Sequence, residues 1–163
     1  MNTVLFSASI FNFGPLWILV PMFLYLLLLV FSLFPFAQYK LKFVKSKGTL
    51  KMFLIIQCIA LIGHFYAFAT ELLPYYAKHF EVVEGNIEDF VAPTNQYNKC
   101  ESFSVDGVYF GYSPHDISFG YHSTILDDGV INETTQNIRI FYVYNPLIDE
   151  NVIMRIEQLA ETE

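Results

Sequence analysis

No charged side chain occurs in residues 1–37, and no acidic one before Glu71. A leader for secretion begins with a basic stretch, so the lack of one here argues against a cleaved signal peptide. Charged residues make up only 15% of the 163, against 54% hydrophobic and 18% aromatic, which excludes a disordered chain. There are two cysteines, Cys58 and Cys100, too few for a disulfide framework or a cysteine-based zinc site. Phosphate-binding loops, dinucleotide fingerprints, zinc-protease helices and nucleophile elbows are all missing. Ser102 and Ser104 stand beside no identifiable base. No catalytic residue, metal or cofactor is expected, and the chain does not read as an enzyme.

What the chain does have is long apolar runs. Residues 11–37 as helix would reach roughly 40 Å, against a bilayer core of about 30 Å. The run predicts a transmembrane span over 13–37, with Pro15 in its first turn, Pro21 at a kink and Pro35 at its exit. Residues 52–73 predict a second span. The connector 38–51 carries Lys40, Lys42, Lys45, Lys47 and Lys51 and no acid. Positive short loops stay in the cytoplasm, so both termini are expected outside a bacterial inner membrane. Such a loop suits anionic lipid headgroups and offers no fold for nucleic acid. Residues 1–78 thus form an expected membrane hairpin in contact with the bilayer.

Residues 79–163 are different in kind. They hold 15 Asp and Glu against Lys99, Arg139 and Arg155, a net charge of −12. The segment is expected to fold as a small all-β barrel of five strands, OB-like by preference and SH3-like next. Asp106-Gly107 between ESFSV and VYFGY is a two-residue hairpin turn that pairs Val105 with Val108 and Phe103 with Phe110. Residues 80–90 predict one strand bent at Gly85, residues 137–144 a strand buried on both faces, and residues 152–156 a last strand. The stretch 113–136 is longer than a compact domain usually tolerates, so it is either functional or locally structured.

The segments VVEGNIEDF, ESFSVDGVYFGYS, IRIFYV and VIMRIE together resemble a group of small bacterial membrane proteins of unassigned function. That group has apolar N-terminal helices and a compact C-terminal β domain. The resemblance covers mainly residues 81–157 and implies membrane location and fold, with no catalytic residues.

Three residue sets stand out. His115, Asp116, His122, Asp127 and Asp128 fall in the long loop and form a candidate interaction surface, without the spacing of metal ligands. Gln57, Ala60, His64, Ala67 and Glu71 share one helical face and predict helix packing in the membrane, compatible with a homo-oligomer. The connector lysines form the third set. Asn132-Glu133-Thr134 also fits the glycosylation pattern. The leading expectation is a membrane protein that displays an acidic extracytoplasmic barrel to a protein partner. A membrane immunity factor neutralising a toxin is the alternative, followed by an oligomeric ion pathway.

Overall fold

A computed structural model describes residues 2–9, 55–56, 58–59, 62–94, 100–116 and 118–160. The chain divides into two compact units, Pro15–Tyr66 and the combination of Met1–Gly14 with Ala67–Glu163. In the first, the described residues 55–56, 58–59 and 62–66 are helical. The expected span 13–37 and the connector lysines lie outside the described residues, as do Gln57 and Ala60 of the packing face. The second unit is built from β1 (Thr3–Ser7), β2 (Glu81–Gly85), β3 (Glu88–Val91), β4 (Glu101–Val105), β5 (Val108–Tyr112), β6 (Ile138–Asn145) and β7 (Glu150–Gln158). It also holds a π-helical turn, Phe68–Leu72, that leads into the short helix α1 (Leu73–Tyr76).

The strands form two antiparallel sheets, one in the order β1-β7-β6-β2 and the other β3-β4-β5. Both sheets are open, which overturns the expected barrel, OB-like and SH3-like alike. The physical cause lies at residues 86–87. The expected strand over 80–90 does not bend and close a cylinder; it breaks after Gly85, so that β2 pairs with β6 and β3 pairs with β4 in the other sheet.

Among the described residues no helix is long and apolar enough to cross a membrane. This overturns the transmembrane hairpin and the inner-membrane placement drawn from it. The apolar residues at the end of the expected second span have another use. Ala67 and Leu72 are buried in a cluster with Ala8, Phe119, Val143 and Met154, where they cover one face of the four-stranded sheet. Hydrophobicity alone does not tell a helix facing lipid from one facing a sheet.

The other face of that sheet packs on the three-stranded one. Phe103, Val105 and Phe110 are fully buried there against Ile138, Ile140 and Ile156. Each large side chain so buried contributes roughly 1.5–3 kcal/mol. With apolar layers on both sides, β6 reads as the near-continuous run IRIFYVY. Phe141 pairs with Arg155 and Tyr142 with Ile153, so Met154 is an extra residue, a β-bulge. The bulge lets Ile153 and Ile156 share the inner face although they are three residues apart.

The long stretch 113–136 is locally structured. It contains a 3-10 turn at Ile125–Asp127 and supplies Tyr121 and Ile131 to the inner core and Phe119 to the outer one. The Tyr121 ring meets Phe6 and Tyr112 edge-on, at 5.1 Å between centroids in each case. Two buried carboxylates hold this stretch down. Glu71, 1% exposed, accepts hydrogen bonds from Ser118 Oγ (2.9 Å), the Phe119 amide (2.8 Å) and Asn145 Nδ2 (3.0 Å). Glu101, also 1% exposed, accepts from the Ile125 amide (2.8 Å) and the Tyr112 hydroxyl.

The hairpin at Asp106-Gly107 forms as expected, with both residues at positive φ (47° and 76°) and the register Val105–Val108, Phe103–Phe110. Gly107→Val places a β-branched residue in that left-handed conformation. The expected loss is about 1–3 kcal/mol in chemical denaturation, the usual scale for a strained backbone position. An unchanged midpoint would remove the turn's claim to fix the sheet. Glu71 gives a pH dependence. Burial pushes its pKa up from 4.5, with the nearby Asp116 adding to the shift and the three donors opposing it. The unfolded chain therefore ionises first. The stability linked to this group is full below about pH 4.5 and is lost as pH rises through the folded value. Stability measured by urea melts should fall more gently over this window in Glu71→Gln than in the parent. The variant should also lose about 1–3 kcal/mol overall, because its amide nitrogen must face a donor. An unaltered slope would show that Glu71 does not carry the effect.

Candidate functional site

The outer side of the β4–β5 hairpin opens into a cleft of about 310 Å³. Alternation along β4 explains one of its residues. Glu101 shares a face with Phe103 and Val105, so its carboxylate lies at the buried level and takes the Tyr112 hydroxyl across the strand pair. Burial, followed by this carboxylate neighbour, pushes the Tyr112 hydroxyl far up and holds it protonated as the donor.

Asp116 and Glu150 also line the cleft, with Tyr109 and Cys100. Asp116 is held by the turn after β5, where its Oδ2 accepts the Ser113 amide at 2.6 Å. Burial raises its pKa, while the Ser113 donor and the charges of His122 and His115 pull it down. Glu150 opens β7, and burial and then Asp116 raise its pKa. Two carboxylates of raised proton affinity, one of them raised in part by the other, are a site for positive charge. Tyr109 is 59% exposed and offers an aromatic surface beside them. Cys100 is an exposed free thiol.

The five loop residues singled out in the sequence are divided by the structure. His115, Asp116 and His122 come within electrostatic range of one another, and His122 Nδ1 lies 2.8 Å from the Gly120 carbonyl. Asp127 and Asp128 belong to the 3-10 turn instead. There Asp127 accepts the Thr124 hydroxyl at 3.0 Å, and Asp128 adopts φ 58°. Among the described residues no three His, Cys, Asp or Glu are grouped to hold a metal ion.

Of the helical stripe, His64 lies in the unit Pro15–Tyr66, while Ala67 and Glu71 are interior residues of the β unit. Glu101 and Glu150 were missed as cleft residues. The signal for Glu101 was present, since a glutamate in phase with two core residues on a strand must find a buried donor. Glu150 had no such signal, because what brings it near Asp116 is the meeting of the start of β7 with β5, where Asn151 Nδ2 donates to the Tyr109 carbonyl at 3.0 Å. No protein-family model, curated protein or solved structure matches the chain, so the geometry of the cleft is what speaks for its use.

Proposed function

We propose that the chain is a non-catalytic binding protein whose β unit captures a basic segment of a protein partner in the cleft beside Asp116 and Glu150. The observation that carries this reading is the cleft itself, with two carboxylates of raised proton affinity next to an exposed tyrosine. A lysine or arginine of the partner places its cationic head between Asp116 and Glu150. Its apolar stem lies along Tyr109 and the exposed Val91. The net charge of −12 over residues 79–163 steers such a partner from a distance. A basic toxin fits the same description, and neutralising it requires only that the cleft be filled.

Fluorescence anisotropy of a labelled lysine- and arginine-rich peptide with the full chain tests this. Affinity should fall as salt is raised, because the Debye length shrinks from about 10 Å at 0.1 M to about 3 Å at 1 M. The pair Asp116→Asn and Glu150→Gln should weaken binding about tenfold, as expected for two partly exposed charge contacts. Binding that survives both the salt and the double substitution would place the partner elsewhere.

A further inference from the structure

We infer a second site of opposite character on the outer face of the four-stranded sheet: a groove that binds a small organic anion with an aromatic body. The groove has a volume of about 740 Å³, within the range of small-molecule pockets, and is lined by Tyr75, Tyr76, Lys78, Phe80, Phe141 and Arg155 beside the end of β1. Its aromatic wall is continuous. Tyr76 is 5.6 Å from Tyr75 between centroids, Tyr75 is 5.7 Å from Phe80, and Phe80 meets Phe141 edge-on at 5.4 Å. The guanidinium of Arg155 sits over the Phe141 ring at 5.5 Å.

The charge in this groove runs against that of its surroundings. Residues 79–163 carry −12, yet Lys78 and Arg155 meet in one recess. Arg139, outside the groove, is spent on Glu84 (2.7 Å) and Glu157 (3.6 Å). Arg155 uses Nη2 on Glu157, and its Nε, shielded from solvent, has no hydrogen-bond acceptor among the described residues. Lys78 forms no ion pair among the described residues, and its side chain is exposed. An oxyanion in the groove pairs with Lys78 and with the exposed part of the Arg155 guanidinium, and the rings supply a surface for an aromatic body.

The position of Lys78 adds an independent argument. It follows α1 with φ 61°, and its amide donates to the Tyr75 carbonyl at 3.1 Å while His79 N donates to Pro74 O at 2.8 Å. This left-handed helix end is where glycine normally stands. A lysine there stands against the preference of the backbone, and the groove gives it a use. The same geometry separates folding from binding. Lys78→Gly relieves the backbone while it removes the side chain and its charge.

Isothermal titration of the full chain with 1-naphthyl phosphate, and with 1-naphthol as the uncharged comparator, decides the matter. The phosphate should bind at least about tenfold more tightly than the naphthol, the scale of one or two charge-assisted hydrogen bonds. Lys78→Gly should lose about tenfold in affinity for the phosphate while its melting temperature holds or rises. The pair Asp116→Asn and Glu150→Gln, in the cleft beside the β4–β5 hairpin, should leave this binding unchanged, so that the two sites fail or stand separately. No binding of the phosphate, equal binding of the naphthol, or full affinity in Lys78→Gly would each overturn the assignment.

Discussion

The carboxylate of Glu71 ties together parts of the chain that lie far apart in sequence. It reaches out from the π-helical turn to Ser118 and Phe119 in the long loop and to Asn145 at the end of β6. A carboxylate that is 1% exposed is costly to bury, and only a full set of donors makes the position tolerable. The donors come from two segments, so the loop and the β6–β7 end must both meet the helical turn before the group is satisfied. Glu101 does the same on the inner side, where it ties the 3-10 turn to the β4–β5 hairpin. A stretch of 24 residues that carries one short 3-10 turn and no strand becomes a fixed wall of the unit because both its faces end on a buried acid.

That wall matters because the four-stranded sheet is covered on both faces. The three-stranded sheet takes the inner face, and residues 67–72 with Phe119 take part of the outer one. The bulge at Met154 makes the second cover work. By adding a residue opposite Phe141, it turns both Met154 and Arg155 outward while Ile153 and Ile156 stay in. Met154 then fills the space under the helix, and Arg155 is left over Phe141 at the uncovered end of the same face. One backbone irregularity thus places a core residue and a cation side by side.

Local features of this fold could be read in the sequence and distant ones could not. The Asp106-Gly107 hairpin was legible to the residue, because the turn demands positive φ twice and the alternation of Phe103 and Val105 with Val108 and Phe110 allows one register. The expected burial of β6 on both faces is met only in part: Ile138, Ile140, Tyr142 and Val143 are buried, while Arg139 and Phe141 are half-buried and Tyr144 is exposed. β1 was not legible, because Thr3 pairs with Gln158 at the far end of the chain and nothing in TVLFS names that partner. The apolar stretch containing Ala67 and Leu72 misled because lipid and a sheet face ask for the same side chains. The break after Gly85 misled because a glycine in a strand marks a bend as readily as an end. Of the candidate site, the loop sequence exposed Asp116, but its nearness to Glu150 depends on the meeting of the start of β7 with β5 and leaves no mark on either segment.

The two recesses follow from how an open sandwich spends its charge. A closed barrel has no edges and one interior, whereas two open sheets leave hairpin ends and an uncovered sheet face that side chains must finish. At the hairpin end, Asp116 and Glu150 line one cleft, and Asp116 raises the cost of ionising Glu150. On the sheet face, Glu157 is divided between Arg139 and Arg155, and Lys78 stands beside them with its charge unspent. Pairing these opposite charges with one another at the surface would have added little stability. They lie instead in separate recesses, each beside an exposed aromatic ring, and a charge beside a ring is the arrangement that suits binding from outside.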